Sequence, residues 1–179
     1  MWDVTSERKV ERRHKEYNPA IKKYFKSLNY EWLEQYFQIK KTDEKMLSDP
    51  RREILNKGGA VFFLLVDDKV VGTCILIKHR DGTLELAKMA VTKKFQARGI
   101  GRKLLDAVVE KASKSGVSQL YLLTNDRLRA ANHLYEKFGF RKIEKSLLDK
   151  SRYQRQTYAM KLDLQNLSEQ NDRLSLSIS

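Results

Sequence analysis

The chain has 179 residues, of which 41% are hydrophobic and 33% charged, and its formal net charge is +13 at pH 7. This balance excludes a wholly disordered chain and predicts one soluble globular domain that is large enough to bury a core. The longest apolar run, residues 60–66, is far too short to span a membrane, and residues 1–9 lack the apolar centre of a secretory signal. We therefore expect a cytoplasmic protein.

The positive charge and the single cysteine say little about function by themselves. The charge leaves open a nucleic-acid partner, an acidic substrate or a generally basic surface. Acidic residues such as Glu7, Glu11 and Glu16 interrupt the basic runs, which is typical of solvated helix faces. Cys74 lies inside an apolar segment, so we interpret it as a buried small side chain rather than a reactive thiol.

Two residue pairs in the first third of the chain predict where helices begin. In Asn18-Pro19 and in Asp49-Pro50, the first residue can cap a helix and the proline fits its first turn. Between the pairs, apolar residues recur at spacings of three and four. This predicts a helical stripe, either continuous or divided into two helices near Asn29.

A short helix over residues 50–56 is followed by a change from helical to strand periodicity. The apolar runs 61–66, 70–77 and 84–91 are separated by the turn pairs Asp67-Asp68 and Asp81-Gly82. This pattern predicts a three-stranded antiparallel meander.

The second half of the chain alternates helices and strands. After an apolar helical stripe at residues 104–112, we predict a strand over 119–124, a helix over 129–138, and strands over 140–147 and 157–164. A short first strand is also considered within residues 4–13. This order predicts an α+β fold with a mixed sheet. We expect one domain over residues 1–164 and a polar tail over 165–179.

The strongest local signal is the loop Gln96-Ala97-Arg98-Gly99-Ile100-Gly101, which joins the end of the meander to the next helix. The first backbone N–H groups of a helix have no internal partner, and the helix dipole adds positive potential, so such a loop suits a pyrophosphate. Gly99 and Gly101 would let the backbone approach the phosphates, and Arg98, Arg102 and Lys103 add positive charge.

Two other phosphate motifs are excluded by the residues that follow the loop. A P-loop requires Gly-Lys and then Ser or Thr, whereas Gly101 is followed by Arg102 and Lys103. A dinucleotide fingerprint requires a third small residue at the position of Leu104.

The loop resembles the acetyl-coenzyme A signature of the GNAT acyltransferase superfamily. The resemblance is carried by Gln96-x-x-Gly99-x-Gly101 after a strand ending Met89-Ala90-Val91, and by a second segment, Asn125 with residues 131–140. In element order it extends over about residues 10–164. It implies a mixed, mostly antiparallel sheet of about seven strands flanked by helices, with a cofactor cleft where the strand ending at Val91 splays from strand 119–124.

The resemblance also implies a set of residues that bind acetyl-CoA. The main chain of Met89 and Val91 would pair with the pantetheine arm, and the amide of Met89 or Ala90 would stabilise the thioester oxygen. Amides from Ala97 to Arg102 would hold the pyrophosphate. The full implied set is Met89, Ala90, Val91, Gln96, Ala97, Arg98, Gly99, Ile100, Gly101, Arg102, Asn125 and Asn132.

The implied reaction is attack of a neutral amine on a thioester carbonyl, which requires a general base. Glu85 matches the position of the glutamate base in many relatives, and strand alternation predicts that it shares a face with Ala87 and Met89. Tyr135 matches the tyrosine that protonates the departing sulfur. Alternatively, Glu85 is a plain surface charge and Tyr135 a packing residue.

The three histidines, His14, His79 and His133, do not form a metal cluster, so no metal is expected. Acceptor specificity would come from the first helices and the last hairpin, namely from Tyr30, Trp32, Tyr36, Phe37, Tyr153, Arg155 and Tyr158. The basic loop 149–156 hints at an acceptor that carries a carboxylate or phosphate.

These observations predict an acetyl-CoA-dependent N-acetyltransferase whose acceptor is the primary amine of a small molecule. The alternatives are a protein lysine or N-terminal acetyltransferase, a non-catalytic CoA-binding module, and a basic nucleic-acid-associated module. We expect acetyl-CoA and the amine as partners, no membrane or nucleic acid, and either a monomer or a homodimer.

Overall fold

The computed structural model describes residues 12–144 and 158–165, which form one seven-stranded sheet with five α-helices. The strands are β1 (Arg12–Glu16), β2 (Ala60–Val66), β3 (Lys69–Lys78), β4 (Leu84–Val91), β5 (Gln119–Thr124), β6 (Arg141–Ile143) and β7 (Tyr158–Asp163). The helices are α1 (Lys22–Tyr36), α2 (Lys41–Ser48), α3 (Pro50–Glu53), α4 (Ile100–Lys114) and α5 (Arg129–Phe138). None of these helices is long and apolar enough to cross a bilayer.

The strand order is β1-β2-β3-β4-β5-β7-β6, and neighbouring strands are antiparallel except for the parallel pair β4–β5. That parallel pairing ends at Leu86 and Leu122, although β4 continues to Val91 and β5 to Thr124. The two strands therefore separate and leave an open cleft in the middle of the sheet. The predicted α+β fold with a splayed cleft is confirmed.

The sheet is covered on both faces, so β2 is apolar at every position. Phe62 and Leu64 belong to a core shared with α4 and α5, whereas Phe63 and Leu65 belong to a second core shared with α1 and α2. A strand buried on both faces reads as a continuous apolar run because successive side chains point to opposite sides.

The predicted helix caps are confirmed in their positions. Asn18 Oδ1 accepts from the amide of Ala20 at 2.9 Å, in a 3-10 turn that leads into α1. Asp49 Oδ1 accepts from the amide of Arg52 at 3.2 Å at the start of α3. Each cap satisfies one of the unpaired amides at a helix start.

Several details in the first half differ from the predictions. The helix α1 runs without a break through Asn29, which is buried and whose side chain donates to the Phe25 carbonyl at 2.8 Å within the same helix. The helix α2 was not predicted. The strand β1 ends at Glu16, beyond the predicted range of 4–13, and the residues before Arg12 lie outside the described chain.

A bulge in β4 changes which side chains share a face. Thr73 and Ile75 of β3 pair with Ala90 and Ala87, so two residues, Lys88 and Met89, stand opposite one, and Lys88 has a φ of 50°. The extra residue reverses the alternation, as bulges do. Met89 packs into the core under α4, whereas Ala87 packs towards α1. The prediction that Glu85 and Met89 share a face is therefore wrong.

Candidate functional site

The loop before α4 presents a row of main-chain amides without partners. Ala97 and Gly99 adopt φ values of 57° and 76°, and α4 begins at Ile100 with no side-chain cap. Within the described chain, the amides from Ala97 to Arg102 have no hydrogen-bond acceptor. Because these amides also lie at the positive end of the helix dipole, the loop has the properties of an anion site.

The two glycines of this loop have different physical reasons to lack a side chain. A Cβ on Gly99 would meet nothing within 4 Å, so Gly99 is required by its left-handed backbone rather than by crowding. A Cβ on Gly101 would lie 2.7 Å from Leu134 Cδ2 of α5. Gly101 therefore allows α4 and α5 to pack closely, a reason that the sequence did not reveal.

The polar side chains of the loop already contact other residues of the protein. Gln96 Nε2 donates to the carbonyl of Val91 at 3.0 Å, which ties the loop to β4. The Arg102 guanidinium lies 4.3 Å from the Phe138 ring centroid, and its Nε lies 3.3 Å from Asp106 Oδ1. Arg98 lies 5.4 Å from the Phe95 ring centroid. The two exposed arginines form a basic rim, whereas Gln96 positions the backbone.

Neighbouring main-chain amides at the end of β4 point in different directions. The Thr92 amide donates to the Val71 carbonyl at 3.0 Å, which makes Val91 and Gly72 a non-hydrogen-bonded pair in the ladder. Because the two kinds of pair alternate, Ala90 exchanges its main-chain bonds with Thr73, and Val91 faces away from β3. Met89 and Val91 lie beyond the last β4–β5 pair and so border the cleft.

A cavity of about 250 Å³ lies beside the open edge of β4. Its walls come from α1, α2, the β3–β4 turn, β4 and the end of β5. The apolar lining residues are Trp32, Leu33, Phe37, Met46, Ile77, Ala87, Leu123 and Leu128, and the polar ones are Thr42, Asp43, His79, Glu85, Lys88, Thr124 and Asn125. We call this space the β4 pocket.

Glu85 faces the β4 pocket in contact with His79. Its residue is only 9% exposed, and its Oε2 lies 2.7 Å from His79 Nε2. His79 was not assigned a role from the sequence. The hairpin register offers a signal, because Ile77 pairs with Glu85 and a residue two further on is a diagonal neighbour.

A second ion pair lies in the same pocket. Lys88 Nζ lies 2.5 Å from Asp43 Oδ1, and Asp43 Oδ2 accepts from the Lys40 amide at the start of α2 at 3.0 Å. Asp43 is only 5% exposed. Sequence reasoning missed this pair because α2 was not predicted and the two residues are far apart in the chain.

Tyr135 lies on the other side of the sheet from Glu85, in the core under α4 and α5. Its ring packs edge-on against Phe140 at a centroid distance of 5.9 Å. The residue is only 8% exposed, and the hydroxyl has no hydrogen-bond partner within the described chain. Burial, with smaller contributions from Cys74 and Tyr158, raises the pKa of Tyr135. The hydroxyl therefore keeps its proton at neutral pH.

Asn132 and Asn125 join α5 to the end of β5. Asn132 Oδ1 accepts from Thr124 Oγ1 at 2.5 Å, and its Nδ2 donates to the Asn125 carbonyl at 2.9 Å. Asn125 Oδ1 in turn accepts from the Arg127 amide at 3.0 Å. Asn132 is thus engaged in holding this corner together, and Asn125 borders the β4 pocket.

Of the residues predicted to select the acceptor, Trp32 and Phe37 line the pocket. Tyr36 instead packs against these two rings, at centroid distances of 6.3 and 6.4 Å, and Tyr30 packs in the second core. Tyr158 is buried in β7, with Lys142 Nζ 4.2 Å from its ring centroid.

Other predicted residues cannot be placed. Tyr153, Arg155 and the loop 149–156 lie outside the described residues. Within the described ranges, no three His, Cys, Asp or Glu side chains are grouped so that they could hold a metal ion.

Comparison with known proteins gives a consistent set of relatives. Residues 26–140 match the model of the Acetyltransferase (GNAT) family. The chain is 30% identical over 102 residues to the uncharacterized N-acetyltransferase YvbK of Bacillus subtilis, a match that covers 55% of this chain and 66% of YvbK. It is 29% identical over 137 residues to N-alpha-acetyltransferase 30 of Saccharomyces cerevisiae, covering 68% of this chain and 77% of the yeast protein.

Solved structures share the fold. A GNAT-family acetyltransferase of Staphylococcus aureus superposes with a TM-score of 0.78 at 26% identity, covering 86% of this chain and 99% of its own. The yncA protein of Salmonella typhimurium, solved with its cofactor acetyl-CoA, gives a TM-score of 0.67 at 19% identity, covering 86% of this chain and 94% of its own.

Proposed function

Because this chain belongs to the GNAT acetyltransferase family and is an acyl-CoA-dependent N-acyltransferase, we propose that it transfers the acetyl group of acetyl-CoA to the primary amine of a small molecule. One observation carries the proposal. The row of free amides, the open edge of β4 and the pocket that contains Glu85 adjoin one another along a single strand and the loop that follows it.

In this proposal the protein binds acetyl-CoA mainly through its main chain. Amides from Ala97 to Arg102 hold the pyrophosphate, including those of Gly99, Ile100 and Gly101. The edge of Met89 and Val91 pairs with the pantetheine arm as an added strand would. The fit is supported by the absence of competing acceptors for these amides within the described chain.

Of the two amides considered for the thioester oxygen, Met89 is the better candidate. The ladder register turns Ala90 towards Thr73, so the amide of Ala90 is already engaged. Gln96 and Asn132 act as positioning residues in this proposal, since each already makes internal hydrogen bonds that fix the loop and the end of β5.

Glu85 accepts the proton of the acceptor amine, directly or through water, while the nitrogen attacks the thioester carbonyl carbon. The carbon–sulfur bond then breaks, and Tyr135 donates a proton to the departing sulfur from the opposite side of the sheet. Support for these roles comes from the position of Glu85 in the β4 pocket and from the hydroxyl of Tyr135, which is protonated and has no partner within the described chain. His79 holds the Glu85 carboxylate in place.

The test is release of free thiol from acetyl-CoA in the presence of a panel of primary amines, together with calorimetric titration of CoA. We expect CoA to bind and thiol to be released only when an accepted amine is present. Binding of CoA without release for any amine would favour a non-catalytic module, and no binding would remove the proposed cofactor site.

Acetylation of protein N-termini is a second candidate, because the chain resembles N-alpha-acetyltransferase 30 over 68% of its length. Short peptides with free N-termini belong in the same panel, and peptides turned over faster than every small amine would favour this alternative. A cytoplasmic location is also part of the main proposal.

A further inference from the structure

The contact between Glu85 and His79 offers a route by which a proton can leave the β4 pocket. We propose that His79 passes the proton that Glu85 takes from the amine on to the solvent, and does not only hold the carboxylate. This inference rests on the proposed function, because it assumes that Glu85 is the base. His79 acts through Glu85 and is therefore a positioning residue with a proton-relay role.

Each turnover of the proposed reaction leaves Glu85 and Tyr135 in the wrong protonation state for the next one. The N–H bond of the attacking amine breaks and its proton goes to Glu85, whereas the O–H bond of Tyr135 breaks and its proton goes to the sulfur. The two side chains lie on opposite sides of the sheet, so Glu85 cannot return its proton directly to Tyr135. Glu85 must instead lose its proton to the solvent, and Tyr135 must regain one from it.

The pair of Glu85 and His79 has the geometry that proton transfer requires. Glu85 Oε2 and His79 Nε2 lie 2.7 Å apart, which is within hydrogen-bond distance. The His79 side chain is 20% exposed and that of Glu85 11%, so the imidazole is the more accessible of the two groups. Glu85 makes no other hydrogen bond within the described chain, which leaves Oε1 for the amine or a bridging water.

An imidazole ring can take a proton at one nitrogen and release one at the other. In the proposed step, the O–H bond of protonated Glu85 breaks, the proton binds to His79 Nε2, and the proton on Nδ1 leaves to water. A half-turn of the carboxyl group exchanges Oε1 and Oε2, so a proton taken at either oxygen reaches Nε2. Exchange with water then restores the starting tautomer. Nδ1 has no hydrogen-bond partner among the residues that the structure describes, so it is left for water.

The backbone of the β3–β4 turn fixes His79 in this position. The His79 amide donates to the Thr83 carbonyl at 2.9 Å, and the His79 carbonyl accepts from the Gly82 amide at 3.0 Å. The hairpin register pairs Ile77 with Glu85, which makes His79 a diagonal neighbour of Glu85 on the same face of the sheet. Among the described residues, His79 is the hydrogen-bonding partner of Glu85, so it is placed to receive the proton.

The test compares two substitutions of His79. His79→Gln keeps an N–H donor for Glu85 but cannot take a proton, whereas His79→Ala removes both functions. In a buffer without small bases, both variants should lower kcat at least about tenfold, which is less than the loss of the general base itself would cost. The Kd of CoA should not change. The control is Arg80→Gln in the same turn, whose side chain is exposed and does not line the pocket, and it should leave kcat unchanged.

Free imidazole supplies a measurement that a residue with only a holding role would not affect. Added imidazole should raise the kcat of His79→Ala at least about threefold, because it can enter the space left by the ring and take the proton there. It should not restore Glu85→Gln, which has no carboxylate to receive the proton first. A blank without the amine corrects for direct acetylation of imidazole.

Two outcomes would overturn the inference. Turnover of His79→Gln at the wild-type rate would leave His79 as a residue that only holds the carboxylate. A slow His79→Ala that imidazole does not restore would mean that the loss comes from a displaced Glu85. If His79→Ala does not fold, His79→Gln decides alone. Absence of thiol release by the wild-type protein with the whole amine panel would instead overturn the proposed function, which distinguishes the two failures.

Discussion

The two halves of the cleft differ in the groups that they offer to a ligand: main-chain amides on one side and side chains on the other. On the side proposed to bind the cofactor, the groups available are the main-chain amides from Ala97 to Arg102 and the edge of β4 beyond its last pair with β5. On the side proposed to bind the acceptor, the polar groups are side chains from three separate segments, and they include the pairs of Glu85 with His79 and of Lys88 with Asp43.

This difference suggests a way in which one fold can keep the same acetyl donor while its amine acceptor varies. Main-chain amides are available whatever side chains the chain carries, provided that the backbone can adopt the required turn. A pocket built from side chains changes with every substitution in its walls. Changes on the two sides should therefore have separable effects, on CoA binding in one case and on turnover in the other.

The largest effect is expected from Glu85→Gln on the acceptor side. The amide cannot accept the proton of the amine, so kcat should fall by roughly 10²–10⁴. The dissociation constant of CoA, measured by calorimetry, should not change. The control is Glu53→Gln on α3, whose side chain has the same 11% exposure and is paired with Lys57. Turnover by Glu85→Gln at the wild-type rate would remove the role of Glu85 as the base.

A smaller effect is expected from Tyr135→Phe, in the core on the opposite side of the sheet from Glu85. A thiol has a pKa of about 8.5, so the departing sulfur needs less help than the amine does, and kcat should fall about ten- to a hundredfold. The ring still packs against Phe140, so the melting temperature should change little.

Tyr121→Phe is the control for this hydroxyl, because Tyr121 bonds to Gln119 at 2.6 Å and does not line the pocket. Equal rates of thiol release in the two variants would leave Tyr135 as a packing residue only.

The smallest effect is expected from Gly99→Ala on the cofactor side. Gly99 and Gly116 stand at opposite ends of α4 with φ values of 76° and 77°, and an added Cβ would meet nothing within 4 Å at either. Alanine at each position should lower the free energy of unfolding by about 1 kcal/mol, because both are left-handed.

Only Gly99→Ala should also weaken CoA binding, by about tenfold, which corresponds to the loss of about one hydrogen bond. Denaturant unfolding and calorimetry measure the two effects. Equal CoA affinity in the two variants would argue against the row of amides as the phosphate site.

The sequence predicted the central elements closely because their signals are local. The strand Gln119–Thr124 and the helix Arg129–Phe138 were predicted with the bounds that the structure has. The caps at Asn18 and Asp49 were also found, since each acts within three residues. The row of free amides follows in the same way from a turn next to a helix start.

The acceptor side could not be predicted because it depends on contacts between distant residues. The pair of Lys88 with Asp43 joins β4 to α2, a helix whose short amphipathic pattern was overlooked. The bulge at Lys88 was missed because lysine at a positive φ leaves no mark in the sequence, unlike glycine. The contact of His79 with Glu85 could have been found from the hairpin register.

The extra residue in β4 has a consequence for how the enzyme handles two substrates at once. In a regular strand, the Glu85 and Met89 side chains would lie on the same face of the sheet. The proposed acetyl donor and amine acceptor would then compete for that face. With the bulge, Glu85 and Met89 lie on opposite faces of the sheet; in the proposed function, the residues before the bulge therefore contact the acceptor and those after it contact the cofactor. Any insertion or deletion between Ala87 and Ala90 would therefore disturb both substrates together, whereas changes elsewhere along the strand would disturb only one.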